Sequence, residues 1–515
     1  MAVTCFAAID IGSYDISLEI FEVSRKNGIH CIDKILRRLE IGKGSFSEGV
    51  IHMEMVNEIG NVLIDFNKIV KSYHVDDLRV IATSAIREAT NSPFVLGRLK
   101  QMTGMDIRVL SNAEQRFLNY KAMASVEGRF EEMIKNGTAI IDLDGGSVQV
   151  SLFDKSRLIT TQNIKIGNLR LRELLQEASA KSSNFDELVS QLISFDIESF
   201  RKMYIKDRKI ENIILNGDFI TEMIFNDPKH RDRSTRVLSR ADFDKWYRKI
   251  TGKSVSELAM QNNIPMEYAS LLRPSAILYY SLVEMTGAQM IWTPGTHLSR
   301  GLAYEFAENQ GLLKVKHNFE DDILSCARQL SKRYAASKTH TENLDMMATA
   351  IFDSLESLHG MTSRGRLMLR VGLILHDVGK YISYNYISEC SYHIVMANEI
   401  IGLSHKEQSL IALALRYTTV HFPTYEELVF ENDINMEDYI VIAEMNAIIR
   451  LVNALDRSHL QKVKSIKADL KGEKLVLHLD VAQDYALEMG MLKGEIKNFG
   501  EVYGILPVIK TRRIV

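Results

Sequence analysis

The chain has 515 residues, too many for one hydrophobic core; at ~100–200 residues per domain it should hold three or four. An apolar share of 46%, a charged share of 25% and only 7 prolines and 29 glycines exclude a disordered or linker-dominated chain. The formal net charge of −3, from 63 basic and 66 acidic side chains, excludes the basic excess of a dedicated nucleic-acid binder.

The first apolar run, 6–9, lacks a basic flank and is interrupted by Asp10, so it reads as a buried strand and not as a signal peptide. No run approaches the ~20 apolar residues of a membrane span. Asp10-Ile-Gly-Ser-Tyr-Asp15 carries turn residues, and Ile16, Leu18 and Ile20 alternate along a return strand. The 3–4 spacing of apolar residues predicts a helix over 53–70. Strands are expected at 78–82 and 107–110, with Ser111 as a helix cap. The opening pattern then recurs: Ala139-Ile-Ile is an apolar strand, Asp142-Leu-Asp-Gly-Gly-Ser147 a turn, and Val148, Val150 and Leu152 alternate along the return. A repeated strand–Asp–glycine turn–Ser–strand unit predicts two lobes of related fold. Residues 213–218 and 284–294 are expected as further strand-to-turn units.

Beyond about residue 308 amphipathic helical patterns take over until about Leu460. The tail predicts a strand at 475–479, a helix over 480–492 and a closing strand within 502–514, a small α/β cap. The expected fold is α/β: lobes at 1–124 and 125–308, a helical domain at 309–460 and the cap at 461–515. Cys5, Cys31, Cys326 and Cys390 are scattered, with no zinc or disulfide spacing, which fits a reducing, cytoplasmic location.

Glycine at the hairpin tips (Gly12, Gly145, Gly146) lets backbone N–H groups approach an anion, and successive amides form a nest for phosphate oxygens. Ser13 and Ser147 each add a hydroxyl donor. Asp10 and Asp142, at the strand ends, would repel phosphate directly, so their expected partner is Mg²⁺ or a lysine.

The Asp10-Ile-Gly-Ser turn, the run Ala82-Thr-Ser-Ala-Ile-Arg-Glu-Ala-Thr-Asn91, the Asp142–Ser147 turn and Ile166-Gly-Asn-Leu-Arg-Leu171 resemble the exopolyphosphatase / guanosine pentaphosphate phosphatase (Ppx/GppA) family, in the actin-like ATPase superfamily. Ser299-Arg-Gly-Leu302 resembles the sequence that closes the second lobe, and the helical part resembles the family's HD-type domain. The resemblance implies two actin-like (ribonuclease H-like) lobes and a homodimer. It implies that polyphosphate or a guanosine penta- or tetraphosphate is held between the lobes by both glycine loops, Ser84 and Arg87; a guanidinium bonds phosphate oxygens in pairs.

The family's two catalytic glutamates, one in Ser-Gly-x-x-Glu-Ala and one in Gly-Ser-Thr-Glu, correspond here to Gln115 and Gln149. Glutamine can orient a water but cannot take its proton, and losing a general base costs ~10²–10⁴-fold. Glu114 is one residue away, a rotation of ~100° on a helix. Tyr14-Asp15 stands where the family has Asn-Ser, and Asn216-Gly-Asp218 lacks the expected Gly-Thr pair. In the helical part His340, His376-Asp377 and Asp456 reproduce an H…HD…D order suited to one divalent metal, but the family's further histidines are missing from 388–393 and 416–419. Lys462, Lys464, Lys467, Arg512 and Arg513 are candidates to extend a phosphate channel. Three functions follow: a polyphosphate or (p)ppGpp binder with weakened hydrolysis, a working phosphoanhydride hydrolase using Glu114 or a metal-held water, and an HD-domain phosphohydrolase. The amide substitutions favour the first.

Overall fold

The computed structural model describes residues 3–126, 128–179, 185–217, 236–313 and 317–514. The chain divides into two compact units, Met1–Asn318 and Phe319–Val515.

In the first unit the opening segment forms β1 (Thr4–Ile11), β2 (Asp15–Ser24) and β3 (Gly28–Arg38), followed by β4 (Asp77–Ala82) and β5 (Ile107–Val109). They make a sheet in the order β3-β2-β1-β4-β5, antiparallel from β3 to β1 and parallel beyond it. β1 is apolar on both faces because both are covered. Ala7, Ile9 and Ile11 share a core with Val56, Ile59, Leu63 and Phe66, the apolar stripe of the helix Met53–Ser72. Phe6 and Ala8 pack on the other side.

The second sheet repeats the plan. β6 (Thr138–Leu143), β7 (Val148–Asp154), β8 (Arg157–Ile164), β9 (Asn212–Asn216), β10 (Val237–Ser239) and β11 (Met290–Trp292) run in the order β10-β11-β9-β6-β7-β8. With β10 set aside, β8-β7-β6-β9-β11 has the connectivity and strand directions of β3-β2-β1-β4-β5. The duplicated motif is a duplicated sheet.

Two expectations need correction. Residues 284–286 end the long helix Met266–Thr286, stopped by Gly287 in the left-handed region at φ 68°, and only Met290–Trp292 is a strand. The stretch expected to close the second lobe is the helix Leu298–Asn309, and it packs on the first sheet instead. Its Leu298, Leu302, Ala303 and Phe306 share a core with Phe6, Ala8 and Phe21, since β1 has a second apolar face to cover. It crosses the helix Asn112–Ala124 so closely that a Cβ on Gly301 would lie 2.1 Å from the Leu118 carbonyl oxygen. Asp218, in the third expected turn, lies outside the described residues.

The second unit opens with the helices Phe319–Arg333, Lys338–Ser354, Ser363–Leu375, Ile387–Ala397, His405–Arg416, Tyr425–Glu431 and Met436–Leu455. β12 (Val463–Lys471), β13 (Lys474–Val481), the helix Ala486–Tyr503 and β14 (Leu506–Arg513) follow, with the sheet ordered β12-β13-β14. Against expectation, β13 runs through Asp480 and Val481, so the helix begins and ends later, closed by Gly504 at φ 69°. Lys462 is buried against Glu488 at 2.9 Å and Arg512 forks onto Asp480 at 2.7 and 2.8 Å, so both cations are engaged within the cap. Among the described residues no helix is long and apolar enough to cross a membrane.

Two stability changes follow. Gly301→Ala forces a methyl into the Leu118 backbone and is expected to destabilise the chain by about 1–3 kcal/mol in denaturant melts. Burial pushes the Glu444 carboxyl from 4.5 up to about 7, so the folded chain holds that proton to higher pH than the unfolded chain does. Stability from this group is therefore lost as pH rises from 4.5 through about 7. Glu444→Gln is expected to raise stability by roughly 1–3 kcal/mol at pH 8 and leave it near that of the parent at pH 4.

Candidate functional site

β1 and β6 each carry an aspartate near the carboxyl end, Asp10 and Asp142, and each then enters a tight turn. The turns have one geometry: the Gly12 amide donates to the Asp15 carbonyl at 2.9 Å, and the Asp144 amide to the Ser147 carbonyl at 2.9 Å. They meet tip to tip. A Cβ on Gly145 would lie 3.0 Å from Cβ of Ser13, and one on Gly146 would strike the Phe46 ring at 2.7 Å and approach Ser84 Oγ at 3.1 Å. Ser13 and Ser84 hydroxyls are hydrogen-bonded at 2.8 Å.

Between the sheets lies a crevice of about 100 Å³ lined by both turns, by Thr83 from the Thr-Ser-Ala run, and by Lys34 and His297. Four carboxylates face it: Asp10, Asp15, Asp142 and Asp144. Lys34 Nζ sits 2.7 Å from His297 Nε2 and 3.3 Å from Glu19. Its volume is well below the ~300–1,000 Å³ of drug-sized sites, which suits a narrow chain or a terminal group. Burial beside Glu40 pushes the Tyr14 hydroxyl up to about 12, so the ring at the crevice wall stays protonated.

Amides orient the acids. Asn216 donates to Asp142 Oδ1 at 3.0 Å and Asn119 donates to Asp142 Oδ2. Gln115, only 4% exposed and in the crevice wall, donates to Asp144 Oδ2 at 2.5 Å, while its buried Oε1 has no partner. Gln149, 2% exposed, lies on β7 directly across from Asp142, and neither of its amide atoms is hydrogen-bonded among the described residues. Glu114 is occupied elsewhere. Its carboxylate accepts from the Ser111 amide at 2.9 Å in a capping box and pairs with Arg108.

The structure thus brings Asp10, Gly12, Ser13, Gly145, Asp142 and Gln115 to one crevice. Ser84, Gly146 and the buried Ser147 stand just behind it, tied to the turns. Arg87 is not among the lining residues; its guanidinium donates to the Leu110 carbonyl at 2.6 Å and to Asn112 Oδ1 at 2.5 Å. Sequence reasoning missed Asn119, although it stands four residues after Gln115 on one helix face, the spacing that pairs side chains. It also missed Arg170, which donates to the Gly146 carbonyl at 2.8 Å and to Glu88 at 2.5 Å. Arg172 forks onto Glu40 at 2.9 and 3.0 Å.

In the second unit His340, fully buried, receives the Asp456 carboxylate on Nδ1 at 2.7 Å, and its Nε2 makes no hydrogen bond among the described residues. His340, Asp377 and His459 each offer a ligand atom within 4.8 Å of the others. The His340 and His459 rings stack at 3.6 Å, and His376 lies 5.2 Å from His340 with Nδ1 bonded to the Leu373 carbonyl at 2.8 Å. Asp456 therefore stands behind His340, orienting its ring, as carboxylates do behind metal-bound imidazoles. Burial would raise the Asp377 carboxyl, but His376 and the paired Lys380 hold it below its ordinary value. Burial lowers His376, which is not one of the three clustered residues, and takes His459 down to about 4, so the His459 ring is uncharged at pH 7. His459 had a sequence signal, three residues after Asp456, but its helix ends at Leu455 and only the left-handed φ of 56° turns it inward.

Residues 20–309 match the Ppx/GppA phosphatase family, and residues 324–498 match Ppx/GppA phosphatase, domain III. Guanosine-5'-triphosphate,3'-diphosphate pyrophosphatases of Photobacterium profundum and Aeromonas hydrophila are each 20% identical, over 428 and 434 residues, covering 80% of this chain and 80% of theirs. An exopolyphosphatase structure from Cytophaga hutchinsonii superposes with TM-score 0.51 at 18% identity, over 60% of this chain and 99% of that one, a likeness of fold. On the match over both units this chain belongs to the Ppx/GppA phosphatase family.

Proposed function

We propose that the crevice holds the terminal phosphates of inorganic polyphosphate, or of a guanosine penta- or tetraphosphate, and that phosphoanhydride hydrolysis there is weak or lost. One observation carries this reading: the two positions expected to hold a carboxylate base carry buried amides, Gln115 and Gln149, while Glu114 is spent on a helix cap and Arg108. An amide orients a water through hydrogen bonds but cannot accept its proton at neutral pH.

The binding half rests on charge and shape. Backbone amides of the turns at Ser13, Gly146 and Ser147, with the Ser13–Ser84 hydroxyl pair, are the donors for phosphate oxygens, while the Gly12 and Gly145 amides close the turns themselves. Four carboxylates around the crevice would repel a polyphosphate, so the same site calls for a divalent cation. Asp10 and Asp142 would hold Mg²⁺, which supplies charge neutralisation for the bound phosphates. Asn119 and Asn216 fix the Asp142 oxygens, and Gln115 fixes Asp144. Arg87, already donating to Leu110 and Asn112, sets the opening of the helix that carries Gln115. In this reading residues 1–124 and 125–308 are the two lobes, with the helix Leu298–Asn309 returned to the first. Four free cysteines fit a cytoplasmic protein.

A second reading is favoured by the buried cluster in the other unit. It is an HD-type domain, residues 309–460, that holds one divalent metal at His340, Asp377 and His459, with Asp456 orienting His340. The partnerless Nε2 of His340 supports it, because a fully buried imidazole nitrogen without a hydrogen bond is costly unless something binds it.

Phosphate release from long-chain polyphosphate and from guanosine pentaphosphate, with Mg²⁺, separates these readings. The parent chain is expected to be slow, Gln115→Glu/Gln149→Glu to gain about 10²-fold or more, and Glu114→Ala to change nothing. Fast turnover by the parent that Glu114→Ala abolishes sinks the weakened-hydrolase reading. For the metal, elemental analysis should find about one equivalent of divalent ion per chain, lost in His340→Ala and retained in Ser13→Ala. Equal metal content in His340→Ala and the parent rules out the cluster as the site.

A further inference from the structure

The helices Met436–Leu455 and Ala486–Tyr503, with the segment 419–424, enclose a second cavity of about 710 Å³ in the helical unit. That is the size of a small-molecule site, roughly 300–1,000 Å³. Glu444 lines it while only 7% exposed, and its carboxyl makes no hydrogen bond or ion pair among the described residues. The Asn498 side-chain amide, from the facing helix, also lines it with a buried Nδ2 that has no partner. A carboxyl and an amide left unsatisfied in one cavity are expensive, and native folds keep such groups where something else completes them.

The rest of the wall narrows the choice. Phe422 stands edge-on to Tyr417 at 5.8 Å and 5.7 Å from Tyr439, whose hydroxyl donates to the Pro423 carbonyl at 3.0 Å, so the aromatic faces are held in place. Arg450 also lines the cavity, but it is engaged by Glu495 at 2.7 and 3.3 Å and by the Val420 carbonyl at 3.0 Å. Lys497 pairs with Glu501 at 3.3 Å, both exposed. The inner wall therefore offers one carboxyl as a two-oxygen acceptor, one amide donor and flat apolar faces. The complement is a planar, uncharged ring with two adjacent N–H donors beside a carbonyl.

We infer that this cavity binds a 2-amino-6-oxopurine (guanine-type) base, with its N1–H and 2-amino group on the Glu444 carboxylate and its 6-oxygen accepting from Asn498. Stacking on Phe422 and Tyr439 supplies the sequence-tolerant part of the affinity, and the carboxylate supplies the discrimination. Its lining shares no residue with the phosphate crevice, and the inference does not rest on the reading given to that crevice.

Calorimetric titration of the full chain at pH 8, above the Glu444 value of about 7, with guanosine, which carries no phosphate for the crevice to hold, tests this. Guanosine is expected to bind in the micromolar range, and adenosine and inosine about tenfold or more weaker, for want of one or both donors. Glu444→Gln should weaken guanosine by about tenfold or more although that variant is expected to be the more stable protein at pH 8, which separates lost recognition from misfolding. Phe422→Ala, at the partly exposed wall, should weaken guanosine and adenosine alike, and Ser13→Ala should change neither. No heat with guanosine at millimolar concentration, equal binding of adenosine, undiminished binding by Glu444→Gln, or loss on Ser13→Ala each overturns the inference.

Discussion

The first unit depends on backbone meeting backbone at places where no side chain fits. A Cβ on Gly167 would lie 2.3 Å from the Gly145 carbonyl oxygen and 2.4 Å from the Ser147 amide nitrogen, so the helix Asn168–Ser179 can start only hard against the second turn. From that contact the Arg170 amide donates to the Gly145 carbonyl at 3.0 Å and its guanidinium to the Gly146 carbonyl. The other arm of the guanidinium reaches Glu88, beside the Thr-Ser-Ala-Ile-Arg run of the first sheet, and its plane lies 4.5 Å over the Phe46 ring. One arginine thus ties the second turn to the first sheet, and Arg172 on Glu40 adds a bidentate link of the strong, geometrically specific kind.

Bringing two such turns together concentrates like charge. Asp10, Asp15, Asp142 and Asp144 share one crevice, and the fold answers with amides: Asn119 and Asn216 on Asp142, Gln115 on Asp144. Amides satisfy carboxylate lone pairs without adding a neutralising charge of their own. A glutamate at 115 would set a carboxylate against Asp144, where hydrogen bonding would require a shared proton. In the proposed reading, an amide in place of a base therefore also relieves a repulsion, which sets binding against turnover at this position.

In the second unit, polar burial takes two forms. Around His340 most groups are answered: Asp456 accepts from its Nδ1, the Gln461 amide donates to Asp456 at 2.8 Å, and Lys380 pairs with Asp377. Around Glu444 nothing answers the carboxyl, and burial alone raises it. The first is a network in which two imidazole nitrogens, Nε2 of His340 and of His376, make no hydrogen bond among the described residues; the second is a cavity with two unmet groups. Each points to a ligand by different chemistry.

What the sequence determined by itself was local and repetitive. Alternating Ile16, Leu18 and Ile20 and the recurring Asp–glycine–Ser turns prescribe two hairpin-led sheets, because period-two apolarity and φ-tolerant glycine act over a few residues. Ser111 declared a helix cap in the same short-range way, and the structure completes it as a capping box with Glu114. Tertiary structure decided the rest. That the helix Leu298–Asn309 covers the first sheet followed from β1 having two apolar faces, a fact no local pattern assigns to a segment nearly three hundred residues later. That Asn119 reaches Asp142, Arg170 the second turn and His459 the His340 cluster followed from where distant elements cross, since a side chain's partners are set by packing across the chain and not by its own neighbours.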